Sequence, residues 1–349
     1  MFQHLFWRYN RWLRAEFLPT RVCYISVRIY CFFKMFVLKT PLWFTATNPW
    51  FPLWGLYPSS KRDILRQLPA QRVPKSLYIT SKNFSKESII QRLQEWQMNF
   101  PLIIKPDNGL RWLGIEVFRI QQAFEDTIDA YKEKEQKWGS RLLQEFIDIP
   151  LEIWIFFIKD PKTNKWRITW MVEKEFLDIV WDWKQTFEEL IHAHPRAKYH
   201  ITSLEEKYHT IRTSIPPKWK IHTIVEIWSH SRWSTFRDIS SKITPEITEL
   251  CTEISSHIDW FYYGRYDVRT ESIEALLDGK FYIIEVNPTY GEPTRMYDPS
   301  YNFITQQKIL LEHWSMMYDI AKNNIAQWIP FASYKERKAA KQEFLKLWV

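Results

Sequence analysis

Arg265-Tyr266-Asp267 and, eighteen residues after Asp267, Glu285-Val286-Asn287 decide how this chain is read. Both fall on predicted strands, Tyr262 to Arg269 and Phe281 to Val286. Asp, Glu and Asn at strand ends supply hard oxygen ligands of the kind that hold Mg²⁺ against phosphates. Arg265 beside them can stabilise charge on a transferring phosphoryl group or a tetrahedral intermediate. Alone, such a pair also fits a turn with a salt bridge.

Two more pieces lie upstream. The predicted buried strand Pro101 to Pro106 ends in Lys105. A turn with Gly109, Arg111, Trp112 and Gly114 follows. A lysine beside such a turn can neutralise phosphate while backbone N–H groups approach it. Gln144-Glu145-Phe146-Ile147 is a strand edge that can pair with an adenine, and Glu152 can accept from ribose hydroxyls. Ser59-Ser60-Lys61 opens a helix with a serine cap. Further helices are expected at 85–98, 122–137, 186–192, 245–258 and 304–324. Strands are expected at 76–80, 110–120, 142–147, 153–159 and 167–176. Thr45 to Pro49 reads as a strand leaving into a turn. The class is α+β.

The order of these pieces resembles the ATP-grasp superfamily, above all its D-alanine–D-alanine ligase-like members. The resemblance runs from about Asn48 to Tyr301. It implies an ATP-grasp fold, two α+β lobes sandwiching the nucleotide, with a reduced N-terminal domain. The expected divisions are 1–75 (basic, aromatic and reduced), 76–180 (central lobe), 181–330 (C-terminal lobe with the metal site) and 331–349 (basic helix). It implies that Lys61 and Lys105 hold ATP phosphates. Gln144, Glu145, Phe146 and Ile147 would form the adenine hinge, with Glu152 near the ribose and Lys174 a further nucleotide contact. Asp267, Glu285 and Asn287 would bind two Mg²⁺ ions, or Mn²⁺ in their place. Arg265 and Lys184 would be catalytic.

The implied reaction joins a carboxylate to an amine through an acyl-phosphate and releases ADP and phosphate. The substrates would be small molecules or peptides. Arg295 can pair with a substrate carboxylate and Glu292 with an amine, or the two can pair within the protein. His230 and Arg232 lie in a segment that the resemblance brings near the site. No nucleophilic cysteine has a matched histidine, which argues against a protease.

The 349 residues are too many for one small core. With 46% apolar and 25% charged residues, a disordered chain, a collagen-like repeat and a polytopic membrane protein are excluded. Net charge is +8, and residues 1–40 carry seven basic side chains against Glu16. That segment suits peripheral contact with an anionic membrane, or simple packing on the domain. No specific nucleic-acid motif is present. Val22 to Leu38 holds Arg28 and Lys34 and is short for a membrane span. Cys23, Cys31 and Cys251 have neither metal nor disulfide spacing, which suits a reducing cytoplasm.

The composition has one anomaly. The chain holds 7 Gly and 20 Trp, where about 24 Gly would be usual. Similar ligases have glycine where this chain has Trp50, Trp54, Trp112, Trp154, Trp181, Trp183, Trp219, Trp228, Trp233 and Trp260. Indoles at Trp181 and Trp183 would obstruct a phosphate loop built from glycines. Three explanations stand, one being that some of these aromatics form a binding platform. UGA codons read as glycine in the source were translated as tryptophan, and the ligase is intact. Otherwise the chain is a catalytically impaired relative, acting as a nucleotide-binding or membrane-surface protein.

Overall fold

The computed structural model describes residues 18–49, 51, 60–80, 85–108, 114–128, 139–176, 178–180, 184–194, 197, 213–215, 221–223, 234–289 and 291–346. In chain order these form α1 (Ile25–Leu38), a 3-10 helix (Trp43–Thr47), α2 (Lys61–Leu65), β1 (Ser76–Ile79), α3 (Lys86–Glu95), β2 (Leu102–Pro106), β3 (Glu116–Phe118), α4 (Gln121–Thr127), β4 (Arg141–Glu145), β5 (Leu151–Lys159), β6 (Trp166–Glu175), β7 (Asp178–Val180), α5 (Phe187–Ala193), β8 (Ile221–Thr223), β9 (Thr235–Asp238), α6 (Pro245–Ser256), β10 (Tyr263–Thr270), α7 (Ile273–Leu277), β11 (Phe281–Asn287), α8 (Phe303–Ala326) and α9 (Tyr334–Lys346).

Where they are described, the predicted elements recur within a few residues, with local causes; part of the strand expected at 110–120 and much of the helix expected at 122–137 lie outside the described residues. Ser60 caps α2 by accepting from the Asp63 amide, and Ser85 caps α3 by accepting from Ser88. Thr186 and Glu189 form a capping box at α5. Thr45 to Pro49 departs from expectation. Residues 43–47 form a 3-10 helix, not a strand, because Thr45 Oγ1 turns back to the Leu42 carbonyl. β9 and α7 were not foreseen in the sequence.

Two antiparallel sheets organise the chain. The four-stranded sheet has the order β1-β4-β2-β3, and the five-stranded sheet β11-β10-β5-β6-β9. The α+β class therefore holds. The division between lobes falls between Glu145 and Leu151, not near residue 180 as expected. β5 and β6 pair with β10 and β9, so residues 151–175 belong with the later strands. The amino-terminal residues also differ from a separate reduced domain. Trp43 and Ala46 are buried with Ile158, Tyr263, Met317 and Tyr318, and α1 packs along α8. Buried Asn48 accepts from the Tyr262 and Tyr263 amides and donates to the Tyr263 carbonyl, tying this segment to the start of β10.

Strand alternation sets the two faces of each sheet. In the smaller sheet Leu102, Ile104 and Leu143 face a core closed by α3 and α4. Ile103, Lys105 and Gln144 therefore face the other lobe. In the larger sheet Ile153, Ile155, Phe157, Tyr266 and Val268 pack under α6. Glu152, Trp154, Phe156, Arg265, Asp267 and Arg269 are left on the opposite face. Each buried Ile or Phe contributes about 1.5–3 kcal/mol, so a one-residue slip of β5 would cost most of one core.

Candidate active site

A cleft opens between the sheets, lined by Lys61, Ile103, Lys105, Ile115, Gln144, Glu145, Phe146, Ile147, Arg269, Ile284 and Glu285. Seven of these were expected from the sequence: both lysines, the four hinge residues and Glu285. Ile103, Ile115, Ile284 and Arg269 were not. The signal for Ile103 and Arg269 was available, since each lies two residues from a predicted site residue on the same strand face.

Lys105 is buried and donates to Gln144 Oε1 at 2.7 Å and to the Ile284 carbonyl at 3.1 Å. It thus bridges the two sheets. Burial lowers its pKa to about 8, with Glu285, Asp267 and Asp107 opposing that shift. Lys61 starts α2, and its Nζ lies 3.6 Å from Glu285 Oε1. Buried Asp107 accepts from the Arg62 amide and holds that helix start in place. Burial raises the Asp107 pKa above the usual carboxylate value.

The antiparallel register builds the acidic part. Asp267 pairs with Glu285 and Arg265 with Asn287, which places the four in a two-by-two grid. Arg265 grips Asp267 with Nε at 2.6 Å and Nη2 at 3.0 Å, and Asn287 Nδ2 donates to Asp267 Oδ2 at 3.2 Å. Burial pushes the Asp267 pKa up to about 6, against the pull of Arg265. Burial would also raise Glu285, but Lys61, Lys105 and Arg265 outweigh it and hold that carboxyl below its usual value.

Among the described residues, no group of three or more His, Cys, Asp or Glu could hold a metal by itself. Two carboxylates and an amide oxygen still suit Mg²⁺, which takes one or two carboxylates and completes its shell with water and phosphate. Asp267 would first have to exchange part of its grip on Arg265 for the ion.

Other predicted residues sit elsewhere. Glu152 is fully buried and does not line the cleft, as a ribose ligand would. Lys174 Nζ lies 3.0 Å from it, Arg269 Nη2 lies 3.4 Å away, and the Trp154 indole donates at 2.9 Å. The register explains this, because Glu152 is opposite Arg269 on one side and Lys174 on the other. Lys174 is therefore held by an ion pair within the sheet instead of by the cleft. Lys184 is exposed just before α5 and does not line the cleft. Arg295 donates to Asp238 Oδ2 at 2.6 Å, and Tyr301 donates to the same oxygen. Sequence reasoning did not mark Asp238, which lies on the unforeseen β9. Glu292 is exposed and accepts from Tyr24 at 3.1 Å and Tyr297 at 3.4 Å, and not from Arg295. His230, Arg232, Trp181 and Trp183 lie outside the described residues.

No protein-family model matches the chain, and no curated protein does. Solved structures do. D-alanine–D-alanine ligase from Bacillus anthracis is 14% identical over 77% of this chain and 68% of its own, with a TM-score of 0.44. The same enzyme complexed with ATP is 13% identical over 77% and 66%, with a TM-score of 0.42. A bifunctional glutathione synthetase from Pasteurella multocida is 14% identical over 73% of this chain and 35% of its own, with a TM-score of 0.37. This chain thus spans about two thirds of the ligase and about a third of the synthetase.

Proposed function

We propose that the cleft binds ATP and that the chain is an ATP-dependent ligase joining a carboxylate to an amine. The observation that carries this reading is convergence. Lys61, Lys105, the hinge residues 144–147 and Glu285 line one cleft between the sheets, and the strand register places Asp267, Arg265 and Asn287 beside Glu285.

The adenine would lie among Ile103, Ile115, Phe146 and Ile284, with the Ile147 backbone as its partner, because the Glu145 and Phe146 amides are taken by the Lys75 and Pro101 carbonyls. Lys105 would turn from Gln144 to the phosphates. A polyphosphate restores the environment that favours its charged form, which burial alone disfavours. Lys61 would sit on the opposite phosphate flank. Asp267, Glu285 and Asn287 would hold Mg²⁺, which when bound neutralises charge on the phosphate oxygens.

In the first step a substrate carboxylate oxygen bonds to the γ-phosphorus and the bond to the β–γ bridging oxygen breaks. ADP leaves, and an acyl-phosphate remains. The amine then attacks the acyl carbon, phosphate departs, and the amine loses its extra proton. Arg265 would stabilise charge in both steps, so positioning and electrostatics do the work without a covalent enzyme intermediate. Glu292 would face the amine. This reading takes glycine at positions 181 and 183.

Thermal melting with MgATP, followed by ADP release with mixed amino acids and peptides, tests it. The expected result is stabilisation by MgATP and ADP release that needs both a carboxylate and an amine. Stabilisation without turnover would favour the impaired relative, and no stabilisation would sink the nucleotide site.

A second observation favours peripheral membrane contact by α1. Ile25, Ile29, Phe32, Phe33 and Phe36 form an exposed stripe at helical spacing, with Phe33 63% and Phe36 62% exposed. Arg21, Arg28 and Lys39 are also exposed, and no Asp or Glu occurs between Leu18 and Lys39. That charge suits anionic headgroups. No described helix is long and apolar enough to cross a membrane. Flotation with phosphatidylglycerol vesicles should carry the protein up, and Phe33→Glu with Phe36→Glu should abolish it. Equal flotation with phosphatidylcholine vesicles would remove the electrostatic part of this reading.

A further inference from the structure

Two helices end in the same geometry on different residues. After α7, the Lys280 amide donates to the Ala275 carbonyl at 2.7 Å and the Gly279 amide to Leu276 at 2.9 Å, with Gly279 at φ +74°. After α8, the Ile329 amide donates to the Asn324 carbonyl at 3.0 Å and the Trp328 amide to Ile325 at 3.1 Å, with Trp328 at φ +62°. This paired closure needs a left-handed residue between its two donors, and glycine is the usual choice. A β-carbon there crowds the neighbouring carbonyl.

Trp328 receives nothing for that strain, because its side chain is 95% exposed. Trp260, four residues beyond α6 and outside its closure, also joins a left-handed φ of +56° to an exposed side chain, at 52%. Gln97 takes the place equivalent to that of Trp328 after α3 at φ +50°, so a side chain is tolerated. A polar amide there is readily hydrated, whereas an indole leaves a large apolar surface in water.

Other tryptophans behave in the opposite way. Trp43 is fully buried and meets Phe44, Trp314 and Tyr318 edge-on. Trp166 stacks on Phe157 and Trp170 on His313. Among the described residues, Trp43, Trp166 and Trp170 thus build the core, whereas Trp260 and Trp328 occupy left-handed backbone.

We propose that positions 260 and 328 are glycine in the natural protein, their codons being UGA read as glycine in the source, while Trp43, Trp166, Trp170 and Trp314 are genuine. Position 328 adds to those that the resemblance singles out, and it rests on backbone geometry and exposure. Its observations are separate from those of the ligase reading, which shares the premise of misread glycine at 181 and 183. Trp154 does not share this geometry: it is buried on strand backbone, packs on Phe236 and donates to Glu152.

Peptide mass spectrometry of protein purified from its source tests the proposal directly. Glycine at 260 and 328, with tryptophan at 43 and 170, is the expected result. Tryptophan at 260 and 328 overturns it. A second measurement uses recombinant full-length chain. Trp328→Gly should raise Tm by roughly 1–3 °C, as relief of left-handed strain outweighs the added freedom of the unfolded chain. Trp43→Gly should lower Tm. A fall in Tm with Trp328→Gly would also overturn the proposal. Neither readout depends on nucleotide binding, so failure here leaves the ATP site to be judged by its own assay.

Discussion

Glu152 and Asp267 are buried carboxylates on one face of the same sheet, in neighbouring register rows, and their surroundings differ. Glu152 has a cation on each side, Lys174 from β6 and Arg269 from β10. Asp267 has Arg265 two residues away on its own strand, but its partner across the ladder is another carboxylate, Glu285. Like charges directly opposite one another destabilise a sheet. The first arrangement is closed within the protein. The second keeps its acids paired only while Lys61, Lys105 and Arg265 stand by, next to a cleft. A sheet face can therefore carry a structural charge cluster and a ligand-directed one side by side. What separates them is the charge opposite each carboxylate, and not burial.

The largest test breaks the closed cluster. Glu152→Ala leaves two cations buried without their anion and should cost about 3–5 kcal/mol of stability, read by denaturant unfolding. Nucleotide affinity of the folded protein should hardly change. If affinity fell while stability held, Glu152 would be a ligand residue after all.

Breaking the open cluster should do the reverse. Lys105→Met should lower ATP turnover by about 10²–10³-fold. Tm should fall less than with Glu152→Ala, because relief of the buried cation partly offsets the lost bonds to Gln144 and Ile284. A large drop in Tm with affinity retained would make Lys105 an inter-sheet strut and not a phosphate ligand.

The titration of Lys105 sharpens the contrast. ATP favours the charged lysine, so metal-free nucleotide affinity should fall as pH rises through about 8, by up to about tenfold per unit. Calorimetry should show proton uptake on binding above that pH. For the free protein the sign is opposite. The folded pKa is lowered from 10.5 to about 8, so between those values the unfolded chain binds more protons and stability rises with pH. Affinity flat from pH 7 to 9.5 would remove Lys105 from the phosphates.

The smallest effect lies at the edge of the cleft. Ser60→Ala removes the cap of α2 and should cost about 1 kcal/mol, with a modest loss of ATP affinity as Lys61 loosens. A melting curve beside a binding isotherm reads both.

Much of this was legible in the sequence because it depends on spacing along one strand. Ile103 and Lys105 had to share a face, as had Arg265 and Asp267. The helix starts at Lys61, Lys86 and Phe187 were legible from their serine and threonine caps. Glu152 misled for the same reason. Near the hinge in sequence, it looked available to a ribose, yet its partners Lys174 and Arg269 come from two other strands. The Asp238–Arg295 pair, 57 residues apart, was equally out of reach.

The sequence by itself determined the elements, the period-two faces and the set of charged residues that chemistry would use. These follow from local sterics and from which side chains water rejects. Only the tertiary structure decided which charge meets which, where the lobes divide, and that Trp328 stands on a backbone suited to glycine. Strand register and helix closure are set by contacts between segments distant in sequence. Local spacing carries no record of which distant cation will neutralise a given carboxylate.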